Sequence, residues 1–109
     1  MASVLNASRQ ADRLFLTVTT PRLDAYSVRE FKSAVETAWS PVVRSVEIDL
    51  SGVEFLDSSG VGALLSVYKR LPAPGAVQLT RVRPAVQTVI ELLRLHRIFD
   101  LSCNEGAAA

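Results

Sequence analysis

The stretch VEIDLSGVEFLDSSGVGALLSVYKRL, Val46 to Leu71, decides how this chain is read. A strand-like run leads into Asp57-Ser58-Ser59-Gly60-Val61-Gly62, and an amphipathic helical pattern begins at once. Such a junction presents a small hydroxyl at the positive end of a helix, where backbone N–H groups are still unpaired. A phosphate is accepted well at such a place, and a docking surface can be switched there.

Within the helix, Val61, Leu64, Leu65, Tyr68 and Leu71 form a stripe that should be buried, with Ser66, Lys69 and Arg70 off it. Pro72, Pro74 and Gly75 end the pattern. Upstream, Val42 to Leu50 places Val43, Val46, Ile48 and Leu50 so as to suggest a strand buried on both faces for part of its length. A loop from Ser51 to Asp57 follows it.

Further towards the N-terminus, Ser27 opens another helix. Ser27 and Glu30 have the spacing of a capping box, and Tyr26 with Phe31 that of a hydrophobic staple. Val28, Phe31, Val35 and Ala38 repeat at helical spacing, and Trp39 and Pro41 mark the end. Leu14 to Thr19 is rich in strand formers and stops before Pro21. Val4 to Ser8 is a weaker strand, and the two pair as a hairpin around Gln10 to Asp12. Downstream, Ala76 to Val82 reads as a strand. Pro84 opens a third helix carrying Val86, Val89, Ile90 and Leu93. Ile98 to Leu101 is a short last strand.

The order is two strands and then αβαβαβ. It implies an α/β fold: a mixed, mainly parallel sheet of four to five strands with helices, starting with an N-terminal hairpin. In open sheets of this kind sites form beyond the carboxyl ends of the strands. The strand ending at Leu50 leads to the Asp57-Ser58-Ser59 junction, which therefore lies on that edge, with Pro21 to Ala25 beside it.

At 109 residues the chain is one domain, with a core over about residues 4–102 and a flexible tail at 103–109. The formal charge of +1, from 12 basic and 11 acidic residues, speaks against a nucleic-acid binder. Cys103 is the only cysteine, which excludes an intrachain disulfide and a cysteine-rich zinc site and suits a reducing compartment. No secretory pattern opens the chain, Ala2 excludes myristoylation, and no apolar run approaches the roughly 20 residues that span a bilayer. The expectation is a cytoplasmic protein with no membrane contact, no cofactor and no metal.

The element order, the segment DLSGVEFLDSSGVGALLSVYKRL and the later RPAVQTVIELL resemble a STAS domain, over roughly residues 4 to 102. More narrowly, they resemble the bacterial anti-sigma factor antagonists. That resemblance implies a regulatory protein, not an enzyme. It captures an anti-sigma factor that is also an ATP-dependent serine kinase, and so frees a sigma factor. Phosphorylation of the serine after the motif aspartate breaks the complex, and a serine phosphatase restores it. Carried over, Ser58 is the phosphorylated residue and Asp57 the motif aspartate. The partner-binding set is Asp24, Asp57, Ser58, Ser59, Gly60, Val61 and Gly62. The chain departs from the family in having Pro21-Arg22-Leu23-Asp24 where Gly-x-Leu/Ile-Asp is usual, and in a Gly/Ala-containing tail where a further helix is usual.

These residue types suit that chemistry. A serine at the helix start reaches a kinase cleft without unfolding, and Gly60 and Gly62 keep the first turn slim enough for a partner backbone. A phosphate adds about −1.5 to −2 charges. Asp57, Asp24 and Glu54 are expected to surround it with like charge. A loss of about 3 to 4 kcal/mol at an interface built for a neutral hydroxyl weakens binding by roughly two to three orders of magnitude.

Simpler readings stand beside this one. Ser58 or Asp57 can be an ordinary helix cap, Ser59 can bond the backbone locally, and Asp24 can be a turn residue. A hydrolase is disfavoured, because G-x-S-x-G is absent and the single histidine, His96, reads as a surface residue near a helix end. A P-loop is disfavoured for want of its lysine. Arg81, Arg83, Arg94 and Arg97 read as a mild basic cluster on a solvated face. The alternative function is a STAS subunit of a transporter or scaffold assembly without serine phosphorylation.

Overall fold

The computed structural model describes residues 4–71, 76–97 and 99–102. Pro72, Pro74, Gly75, Ile98, Cys103 and the tail expected at 103–109 lie outside the described residues, as does any further C-terminal helix. The elements are β1 (Leu5–Gln10), β2 (Arg13–Val18), β3 (Arg22–Leu23), α1 (Val28–Ala38), β4 (Ser45–Asp49), β5 (Phe55–Leu56), α2 (Ser58–Lys69), β6 (Val77–Thr80), α3 (Pro84–Leu92) and β7 (Asp100–Ser102). A single 3-10 turn, Leu95–Arg97, lies between α3 and β7.

The main sheet has five strands in the order β1-β2-β4-β6-β7. β1 and β2 form the expected antiparallel hairpin, with Gln10 opposite Arg13. Its turn holds Ala11 at φ 55°, a left-handed conformation that a residue with a Cβ adopts at a cost. β2, β4, β6 and β7 are parallel neighbours. Successive parallel strands advance one place at a time across the sheet. Right-handed crossovers then put α1, α2 and α3 on one face.

Burial follows from that one-sided cover. Leu14, Val46 and Val77 are in register across three strands, as are Leu16, Ile48 and Leu79, and all six are buried. Phe31 and Val35 of α1, Ala63, Leu64 and Val67 of α2, and Val86 and Ile90 of α3 close over them. Burying each of the Val, Leu, Ile and Phe side chains contributes about 1.5–3 kcal/mol.

β4 is not buried on both faces, as its apolar content suggested. It alternates strictly, with Glu47 and Asp49 half-buried on the face the helices leave bare. There the Arg13 guanidinium donates to Glu47 Oε1 at 3.0 Å, Gln78 Oε1 at 2.9 Å and the Ser45 hydroxyl at 3.3 Å. These bonds cross three strands and make a polar ladder.

α2 buries the expected face at Val61 and Leu64, with Leu65, Tyr68 and Leu71 partly covered. Ala63 and Val67 join it, because the helix is clasped from two sides. Tyr68 meets Phe99 edge-on, with ring centroids 5.9 Å apart. α3 starts with Pro84 in its first turn, as expected, where a missing N–H costs nothing.

Candidate functional site

Beyond the carboxyl ends of β2 and β4 the two departing loops join in a second, two-stranded sheet. The Pro21 carbonyl accepts the N–H of Glu54 at 2.7 Å and of Phe55 at 3.1 Å. Arg22 then lies opposite Phe55 and Leu23 opposite Leu56, in parallel register. Asp57 N–H closes the ribbon on the Leu23 carbonyl at 3.5 Å. Pro21 suits this place, since its carbonyl is used and no N–H is required there. The ribbon delivers the chain to the N-termini of α1 and α2 side by side, so Pro21 to Ala25 does lie next to the Asp57-Ser58-Ser59 junction.

Asp57 is the N-cap of α2. Its backbone is extended, at φ −110° and ψ −172°, and its Oδ1 accepts the Gly60 N–H at 3.0 Å. Its carbonyl accepts the Val61 N–H at 2.9 Å. Ser58 is the first helical residue and is exposed. Its hydroxyl makes no hydrogen bond among the described residues, because Asp57 already does the capping. Ser59 is half-buried.

Gly60 is buried, and a Cβ there would overlap the Leu23 carbonyl oxygen and come within 2.6 Å of Leu56 Cδ1. The slimness of Gly60 therefore serves contact with β3 within this chain. Val61 is 8% exposed. Gly62 is exposed, and a Cβ there would meet nothing within 4 Å, so close approach from outside is possible at that glycine.

Asp24 is only 8% exposed. Its Oδ1 accepts the N–H of Tyr26 at 3.0 Å and of Ser27 at 3.3 Å. Its Oδ2 faces Arg22 Nε at 3.3 Å. Burial pushes the Asp24 carboxyl up, but the N–H groups of Tyr26 and Ser27 and the Arg22 guanidinium together hold it below its usual range.

The capping box expected at Ser27 and Glu30 is absent. Ser27 has a helical backbone, and its hydroxyl donates to the Arg22 carbonyl at 2.8 Å and accepts the Asp24 N–H at 3.1 Å. The staple is absent too, since Tyr26 is 96% exposed while Phe31 is fully buried. Asp24 took over the capping work because β3 fixes it one turn ahead of α1.

Sequence reasoning missed three residues at this edge. Arg22 lays its guanidinium over the Phe55 ring, 4.2 Å from the centroid, and the Tyr26 side chain, just before α1, is exposed. Nothing in a two-residue strand announces itself locally, so the pairing of Arg22 with Phe55 had no sequence signal. The expectation of like charge around Ser58 is also modified, because Asp24 is paired with Arg22 and Asp57 is engaged as the α2 cap, which leaves Glu54 as the exposed carboxylate of the three.

The four arginines read as one cluster divide between opposite edges of the sheet. Arg81 and Arg83 follow the carboxyl end of β6, where Arg81 faces Asp49 at 3.5 Å and Arg83 Nε donates to the Ser51 carbonyl at 2.6 Å. Arg94 and Arg97 follow α3 and precede the amino end of β7. Among the described residues no group of acidic, histidine or cysteine side chains is placed to hold a metal ion. No helix among them is long and apolar enough to cross a membrane. A groove between α1 and α2, lined by Phe31, Lys32, Glu36, Ser66 and Arg70, lies about two turns down α2 from Ser58.

A profile of the STAS domain matches residues 5–108. The chain belongs to the STAS domain family. Among solved structures, an anti-sigma-factor antagonist (STAS) domain protein from Planctomyces limnophilus is similar, with TM-score 0.82 and 23% identity over 99% of this chain and 96% of that one. The phosphorylated form of the Bacillus cell fate determinant SpoIIAA gives TM-score 0.66 and 20% identity, over 95% of this chain and 96% of that one. A murine anion transporter, solute carrier 26 family member A9, gives TM-score 0.62 and 21% identity, over 78% of this chain but 14% of the transporter. At identities this low, these likenesses establish the STAS fold alone.

Proposed function

We propose that this STAS domain is an anti-sigma factor antagonist. It holds a cognate anti-sigma factor with serine-kinase activity while Ser58 is unmodified, and releases it when Ser58 is phosphorylated. The observation that carries the reading is the division of labour between Asp57 and Ser58. Asp57 caps α2, so the Ser58 hydroxyl, exposed and without a bond among the described residues, is free for modification. A phosphate there lies at the favourable end of the α2 dipole, so the fold tolerates it. The switch then acts at the interface, by charge and bulk, without refolding.

In this reading the chain is the substrate of the kinase and of a serine phosphatase, not an enzyme. Ser58, Ser59 and Gly62 meet the partner, with Tyr26 and Phe55 as apolar contacts. Asp57, Asp24, Gly60 and Val61 shape that surface from within. A transporter or scaffold subunit with an unmodified serine is the second reading, favoured by the occurrence of the fold within a transporter.

Phosphopeptide mapping of the protein from its native cells separates the two. Trypsin releases Ser45 to Lys69 as one peptide, and fragmentation distinguishes Ser58 from Ser45, Ser51, Ser59 and Ser66. Phosphate on Ser58 in a fraction of molecules supports the switch. A well-detected peptide without phosphate across growth conditions, with co-purifying transporter subunits, supports the second reading.

A further inference from the structure

Three arginines among the described residues stand at the carboxyl edge of the sheets. Arg83 is anchored on the Ser51 carbonyl and Arg81 faces Asp49 on the bare side of the main sheet. Arg22 is different. Its side chain is 61% exposed, only its Nε contacts Asp24, and the guanidinium rests on Phe55. Its two terminal nitrogens hold no partner among the described residues.

Phe55 lies opposite Arg22 in the ribbon and precedes Ser58 by three residues. Three residues of chain span at most about 10 Å, and neighbouring strands lie about 4.8 Å apart. Arg22 reaches forward to Asp24, two residues on along its own strand direction, and so towards the edge where α2 begins. A long, exposed guanidinium thus stands on the ribbon whose next residues lead to Ser58 at the start of α2. If Arg22 swings away, Asp24 keeps the Tyr26 and Ser27 N–H groups on its Oδ1 and gives up the Arg22 contact on its Oδ2, a cost the phosphate contact must exceed.

We infer that Arg22 takes up the phosphoryl group of phosphorylated Ser58, exchanging the Asp24 carboxylate for the phosphate; this rests on the proposed use of Ser58. A phosphate offers more charge than a carboxylate and several acceptor oxygens, which the open side of the guanidinium binds as a fork. Phosphorylation therefore changes the docking edge twice. It places an anion at the start of α2, and it withdraws the cation that covered Phe55.

The test uses the whole chain with phosphoserine genetically encoded at position 58 and follows its 31P resonance through the second phosphate ionisation, near pH ~6. Asp57 on the α2 side, Glu54 in the preceding loop and Asp24 beside β3 raise that pKa, and Arg22 lowers it. Arg22→Gln is expected to raise it by about half to one unit relative to the phosphorylated parent, with Arg22→Lys in between and Arg81→Gln unchanged. Amide spectra confirm that each variant is folded, and the exposure of Arg22 makes that the expected result. Identical titrations of the parent and Arg22→Gln overturn the inference, as does an equal shift for Arg81→Gln. Because the phosphoserine is installed directly, absence of phosphate in native cells removes the proposed function and leaves this titration standing. Identical titrations remove the role of Arg22 alone.

Discussion

Replacing Gly60 and Gly62 by alanine, one at a time, makes the sharpest test of the architecture under Ser58. Both glycines lie in the first turns of α2, two residues apart, and each substitution gains about 1 kcal/mol of intrinsic helix preference. At Gly62 the new methyl meets nothing within 4 Å, so Gly62→Ala should stabilise the domain by about 0.5–1 kcal/mol. At Gly60 the methyl overlaps the Leu23 carbonyl and comes within 2.6 Å of Leu56 Cδ1. Leu56 is buried, and the Leu23 carbonyl is held by the Asp57 N–H, so neither can yield without opening the ribbon.

Overpacking costs about 1–3 kcal/mol, and a clash with backbone lies at the upper end. After the helix gain, Gly60→Ala should destabilise by about 2 kcal/mol. For a domain of this size each kcal/mol moves Tm by about 4–8 °C, so the two variants should melt on opposite sides of the parent. Urea titration followed by the single Trp39 and by far-UV circular dichroism measures both. Shifts of the same sign, or a Gly60→Ala variant as stable as the parent, would refute the close packing of α2 on β3.

Asp57→Ala removes the α2 cap and should cost about 1 kcal/mol in the same titration. Ser58→Glu should leave stability unchanged or raise it by about 0.3–1 kcal/mol, since it adds a carboxylate at the α2 N-terminus; the same protein should fail to retain the kinase that Ser58→Ala retains in a pull-down with ATP. Ala11→Gly relieves a left-handed backbone at φ 55° and should stabilise by about 0.5–1 kcal/mol in thermal melts, after the extra chain entropy of glycine is set against the relief. Asp24 ionises more readily folded than unfolded, so its contribution is present above its ordinary value of 3.8 and is lost as pH falls through the lower folded value. Asp24→Asn should accordingly flatten the acid limb of a stability–pH curve below about pH 5 while lowering stability at neutral pH.

Much of the fold was legible because it rests on local regularity. The period-2 run at Leu14, Leu16 and Val18, the helical spacing of Phe31 and Val35, and Pro84 at a helix start each act through near neighbours. The junction at Asp57-Ser58 was equally legible, since a strand run followed by a capping residue and an apolar helix leaves little choice of backbone. Ser27 shows where such reasoning fails. Its capping-box spacing is genuine, yet Asp24, held by the ribbon, supplies the N–H acceptor for the Tyr26 and Ser27 amides.

By itself, then, the sequence determined the alternation of elements, the hairpin, and a serine at the start of a helix beyond a carboxyl edge. Tertiary structure decided the rest of the site. β3 and β5 are two residues each and exist only because loops some thirty residues apart meet over them. Their pairing buries Gly60 and sets Arg22 on Phe55, while the strand order of the main sheet puts Arg94 and Arg97 at the edge away from Arg81 and Arg83. The physical reason is range: propensity and periodicity act within a turn or a strand, whereas hydrogen bonds between distant loops and the side on which helices cover a sheet are properties of the assembled chain.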